Sequence, residues 1–169
     1  MAQLAEAMGD DEFFGAIERF AGRFESYRDL LPAIPYAYTR TLLLRTPRYE
    51  VVAMRWSPGS TSPIHDHGDS RCWVLMMQGE LAVENYECDD DRSGPLAALR
   101  PTGNLALAAG QIDFRGGPTE LHRVQNPTGE IAYSLQLYSE PIERYTVVDA
   151  HSRHRRIVTA TCDLELLGR

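Results

Sequence analysis

His65 and His67 stand one residue apart in the stretch GSTSPIHDHGDSRCWVLMMQG, residues 59–79. On an extended segment, side chains two residues apart point the same way, so the two imidazoles can take one metal ion between them. Cys72 follows five residues after His67, at the head of an apolar run, Trp73 to Met77, that reads as a buried strand. The stretch is read as the core of a mononuclear metal site, and Cys72 as the residue that decides its chemistry.

The elements that must position these residues follow from periodicity. Asp10 and Asp11 can cap a helix whose apolar positions, Phe13, Ile17, Phe20, Phe24, Tyr27 and Leu31, fall three or four apart, with Pro32 and Pro35 ending it. This helical cap spans about 10–31. The period then changes to two. Strands are predicted over 38–44 and 49–56 about a turn at Thr46-Pro47-Arg48, and over 72–77 and 80–87 as a hairpin about Gln78-Gly79. Further short strands are predicted over 105–108, 121–125, 131–138, 145–149 and 157–161, punctuated by turns at Gly110, Gly116-Gly117-Pro118 and 126–129. The acidic segment from Cys88 to Pro95 reads as a solvated loop, without the spacing of an EF-hand. Many short, regularly punctuated strands mean a sandwich or small barrel. The expected fold is mainly β: a single domain over 1–169, with a barrel over about 36–162 behind the helical cap.

Composition sets the outer bounds. A chain of 169 residues can bury a core, and 43% hydrophobic with 24% charged residues is ordinary for a globular domain. The net charge of −7 argues against a nucleic-acid groove. All 17 basic residues are arginine, a hint of a bacterial source with a GC-rich genome. The first residues, MAQLAEAMGDDEFF, lack the basic and apolar regions of a secretory signal, and no apolar run is long enough for a membrane span. Three cysteines without paired spacing suit a reducing cytoplasm.

The spacing of Gly59, His65, His67 and Gly79 resembles the first motif of the cupin superfamily, and His122 with Asn126 resembles the second. This resemblance implies a jelly-roll barrel in which His122 completes a three-histidine site. His151 and His154, beside and within the arginine-rich SRHRR segment, are assigned to the surface. Cupin sites commonly add a carboxylate where this chain has Cys72. Imidazole suits zinc, copper, nickel and iron alike, so ligand type alone leaves the metal open. A closed structural zinc with Cys72 as fourth ligand competes at this point.

A narrower resemblance covers roughly 36–149. Tyr38-Thr39-Arg40, Trp56, the run from Ser62 to Cys72, His122-Arg-Val-x-Asn126 and Ser134-Leu-x-Leu-Tyr138-Ser139 are together similar to the motifs of the cysteine dioxygenases, thiol dioxygenases of the cupin superfamily. The resemblance implies ferrous iron on His65, His67 and His122, with dioxygen as co-substrate and L-cysteine oxidised to cysteine sulfinic acid. It implies that Arg40, with Tyr38, holds the substrate carboxylate, for which a guanidinium fork is suited. It also implies that Cys72 and Tyr138 lie side by side as thioether partners, which removes Cys72 from the metal. Ser134, Gln136 and Trp56 would stand behind the tyrosine. Two departures are expected to matter. Gln136 occupies the place of a family histidine and can donate to the tyrosine hydroxyl but cannot carry a proton. The proline that usually follows Tyr-Ser is displaced to Ser139-Glu140-Pro141, so the local backbone should differ.

The reading from sequence is therefore a cytoplasmic cysteine dioxygenase of cysteine catabolism. It would take a small thiol, need no nucleic acid or membrane, and be a monomer or weak homo-oligomer. Relatives acting on 3-mercaptopropionate usually lack both the arginine and the cysteine. The alternatives are a dioxygenase of another small thiol such as 3-mercaptopropionate, a metal-binding cupin sensor without catalysis, and a cupin isomerase or other oxygenase.

Overall fold

The computed structural model describes residues 11–88, 94–116 and 120–166. Among the described residues, twelve strands form two six-stranded sheets. The strands are β1 (Tyr38–Arg45), β2 (Tyr49–Trp56), β3 (Ile64–His65), β4 (Arg71–Gln78), β5 (Glu80–Cys88), β6 (Leu99–Ala108), β7 (Ile112–Gly116), β8 (Glu120–Gln125), β9 (Ala132–Ser139), β10 (Arg144–Val148), β11 (Arg155–Thr159) and β12 (Leu164–Glu165). One sheet runs β12-β1-β2-β9-β4-β7 and the other β11-β10-β3-β8-β5-β6. This is the jelly-roll expected from the sequence.

The first sheet is covered on both faces. Alternate residues Leu42, Val52, Met54, Cys72 and Met76 point between the sheets. Their neighbours Leu43, Val51, Ala53, Trp73, Leu135 and Leu137 point out, onto the helical cap. Strands β2 and β9 are consequently buried almost throughout, as befits strands covered on both faces. The cap itself differs from the single helix expected over about 10–31. It comprises α1 (Asp11–Ala21), α2 (Phe24–Tyr27) and a 3-10 turn (Arg28–Leu30). Gly22, the poorest helix former short of proline, interrupts the ladder, and the bend brings Phe24 edge-on to Tyr133 at 5.4 Å. Asp10 lies outside the described residues, as do the side chains of Asp11 and Phe13.

The expected hairpin about Gln78-Gly79 is not one. β4 pairs with β7 and β9, whereas β5 pairs with β6 and β8, so the chain crosses from one sheet to the other at Gly79. Gly79 has φ +79°, and a Cβ there would meet the Ala132 Cβ at 2.9 Å. Only glycine makes that corner. The β1–β2 hairpin is as expected, closed by Thr46. Gly116, expected in a turn with Gly117 and Pro118, instead ends β7, and 117–119 lie outside the described residues, as do 89–93 of the acidic segment. Every described peptide bond is trans, and Glu140 meets the displaced proline by taking φ +67°. No helix among the described residues is long and apolar enough to cross a membrane.

Candidate metal centre

His65 is the last residue of the two-residue β3 and pairs directly with His122 on β8. His67 lies beyond the strand, in a loop pinned by Asp66. The buried Asp66 carboxylate accepts from the backbone N–H of Gly68 (3.0 Å) and Thr146 (2.8 Å). The two histidines thus converge through a tethered loop rather than through strand alternation. The ring centroids of His65 and His122 are 4.4 Å apart, those of His67 and His122 4.9 Å, and those of His65 and His67 5.5 Å. One nitrogen from each ring falls within 4.8 Å of the others. His151 and His154 are exposed, as expected, and are not members of the cluster.

These rings suit a divalent metal on four counts. The nitrogens are gathered in one place, and no carboxylate or thiol joins them among the described residues. Burial holds His67 and His122 well below the ordinary imidazole range, with His65 adding to the effect, so both rings are neutral and can ligate. His65 Nδ1 lies 2.9 Å from the Pro63 carbonyl, which fixes its proton there and frees Nε2. His122 Nδ1 is buried without a protein partner, an orphaned polar atom on one of the three rings.

The other predicted residues meet around this cluster. Cys72 and Tyr138 are cross-strand partners on β4 and β9, both facing inward. Burial raises the Cys72 thiol beside Tyr138, and Cys72 is not among the residues whose ligand atoms gather in the cluster. The tyrosine ring lies edge-on to His67 at 5.5 Å. Its hydroxyl donates to Gln136 Oε1, the reverse of the expected direction, because the phenol O–H seeks the amide's acceptor. Ser134 accepts from the Trp56 indole N–H at 3.1 Å, and Trp56 stacks with Tyr38 at 4.9 Å. Arg40, two residues along β1 from Tyr38, sets its guanidinium 5.7 Å from the Tyr138 ring centre, and its buried Nε has no partner. Asn126 is wholly buried but serves the backbone, donating to Trp56 and Glu130 carbonyls.

Tyr38, Arg40, His65, His122, Gln136 and Tyr138 line one cavity, closed by apolar residues such as Leu81 and Leu107. It leaves about 30 Å³ for the centres of water-sized molecules, room for a small ligand only. Three further lining residues went unforeseen. Tyr145 lies 5.9 Å from the His65 ring, and Asp113 and Arg115 enter from β7. Cys162 flanks Arg40, its thiol raised by burial against the pull of that guanidinium.

The model of the family described as cysteine dioxygenase type I matches residues 22–153, most of the chain. This chain belongs to the cysteine dioxygenase family. A zebrafish (Danio rerio) cysteine dioxygenase type 1 is 26% identical over 159 residues, 93% of this chain and 78% of that protein. The rat (Rattus norvegicus) and human (Homo sapiens) proteins of the same name are 31% identical over 128 residues, 75% of this chain and 62% of theirs. The chain thus spans less than two thirds of those mammalian members' length. Among solved structures, a Klebsiella pneumoniae protein with a double-stranded β-helix domain superposes with a TM-score of 0.50 at 16% identity, over 79% of this chain and 93% of that one. A Thermus thermophilus protein gives 0.52 at 18% identity, over 67% and 92%. These likenesses concern the fold, and they agree with the jelly-roll of this family member.

Proposed function

We propose that the protein is a thiol dioxygenase that holds ferrous iron on His65, His67 and His122 and converts L-cysteine to cysteine sulfinic acid. One observation carries the reading: three imidazoles gather in one place, and two of them, His65 and His122, line a small cavity with Arg40, whose Nε has no partner. That cavity offers a carboxylate reader beside an open metal position, which is what a small mercapto acid requires. Ferrous iron supplies the one-electron chemistry that lets dioxygen react with a thiolate. The protein's residues do the rest. Arg40 binds the carboxylate through its planar fork, and Tyr38 packs against Trp56 to keep that end fixed. Tyr138, its hydroxyl anchored on Gln136, borders the substrate with Cys72 at its side. The position of these two supports a thioether link between them. The apolar walls keep bulk water from the sulfur. No disulfide joins the described cysteines, as suits a reducing cytoplasm.

The test loads the protein with ferrous iron and offers L-cysteine, 3-mercaptopropionate and cysteamine, following oxygen uptake and sulfinate mass together. Sulfinate from the carboxylated thiols, and little from cysteamine, is the expected pattern. No sulfinate from any thiol would reject the reading. Equal use of cysteamine would remove Arg40 from substrate binding.

A further inference from the structure

Strand β7 presents its charged residues to the interior. Asp113 and Arg115, two apart, face the cavity, while Phe114 between them packs outside on Trp73 at 4.9 Å. Register places Arg115 opposite Cys72, so Cys72 stands between Tyr138 on β9 and Arg115 on β7. The Arg115 and Asp113 side chains are only 12% and 15% exposed. Arg115 donates from Nε (2.7 Å) and Nη2 (2.6 Å) to Asp113 Oδ2, and from Nη1 to Asn85 Oδ1 on the opposite sheet. A guanidinium has five N–H donors, so two remain beyond the bonds made among the described residues.

Where those donors act follows from the surroundings. Asn85 pairs with His122, which pairs with His65, so the fork's far end is anchored beside the histidine row. Arg115 lines the cavity together with His65 and His122, and Asp113 and Asn85 hold its guanidinium there. A buried ion pair is a poor source of stability, because desolvation offsets the attraction. Asp113 balances the charge of Arg115 but takes only two of its donors, so the fork keeps the capacity to meet an anionic group. Among the described residues no carboxylate pairs with the Arg40 fork, which leaves that fork for the substrate carboxylate.

We propose that Arg115 is a second substrate-reading residue, donating hydrogen bonds to the anionic sulfur group, above all the sulfinate oxygens, while Arg40 holds the carboxylate. The inference rests on the thiol dioxygenase reading. Oxidation of the thiolate adds two acceptor oxygens at that end, matched by the two free donors. Arg115 would then favour ligands with an anionic head over those with a neutral one.

Equilibrium calorimetry under anaerobic conditions on the iron-loaded protein tests this, with L-cysteine sulfinate, L-aspartate and L-serine as probes. The variants are Arg115→Gln and the double variant Asp113→Asn with Arg115→Gln, which leaves no buried charge unpaired. The preference for sulfinate and aspartate over serine should fall about tenfold in both variants, the usual scale of a charged hydrogen bond. Serine binding and iron content should hold. An unchanged preference, or equal loss for all three probes, would make Arg115 a strap between the sheets. Loss of iron or of folding in both variants would overturn the proposal in the same way. If the wild type makes no sulfinate from thiols, the enzymatic reading fails separately, and the ligand preference still reports on Arg115.

Discussion

Three imidazoles gathered in a protein interior are held neutral by burial, and that has consequences at the level of single residues. His67 and His122 sit well below the ordinary value of 6.5 in the native state. Unfolded histidines titrate near ~6.5. Their contribution to stability is therefore present above about that pH and lost as the pH falls toward the lowered native values, since only the unfolded chain takes up the protons. The denaturation midpoint of the metal-free protein should drop between about pH 7 and pH 5, and His67→Gln with His122→Gln should flatten that slope. Replacing His122 alone by alanine should abolish stoichiometric metal binding, read by metal analysis of the folded variant. Arg40→Ala should leave metal bound while raising KM for cysteine about tenfold or more, the scale of a bidentate charge-assisted contact. The pairing of His65 with His67 was legible from spacing, whereas His122, Arg40, Cys72 and Tyr138 were given their roles only through the resemblance to known families. Asp113 and Arg115 were reached by neither route. A charged pair on an unremarkable segment announces nothing until a partner such as Asn85 is seen across the sheets.

At the scale of elements, what could be read was apolar alternation. β2 was placed to the residue, and β1, β4, β8 and β9 within a residue at each end. β7 escaped because its alternation is inverted, with Asp113 and Arg115 inside and Phe114 outside. β3 escaped because two residues after a proline carry no period, and β6 looked shorter because Pro101 and Gly103 resemble a turn. As an edge strand of its sheet, β6 tolerates both. The loop from β3 to β4 is the element on which the metal site depends most. Gly68 has φ +60°, and a Cβ there would meet the Arg144 carbonyl oxygen at 2.6 Å. Gly68→Ala should cost about 1–3 kcal/mol of stability, measured by chemical denaturation, and weaken metal affinity by displacing His67.

For the whole molecule, the first sheet separates two jobs. Its inner face carries Arg40, Cys72 and Tyr138, and its outer face carries the apolar layer under the helical cap. Leu135, fully buried on the outer face, should therefore be separable from chemistry. Leu135→Ala should lower stability by about 2–5 kcal/mol while metal stoichiometry and KM stay as they were. The sheet assignment itself lay beyond the sequence, because a turn at Gly79 reads the same whether the chain folds back or crosses over. Only the pairing of β4 with β9 and of β5 with β8 distinguishes them.

The central claim is that this cavity places both atoms of dioxygen on a thiol sulfur. Turnover of L-cysteine by the iron-loaded protein under isotopically heavy dioxygen tests it directly, with the product read by mass spectrometry. Cysteine sulfinic acid carrying two heavy oxygen atoms is the predicted result. A product with one heavy oxygen or none, or cystine alone, would contradict it.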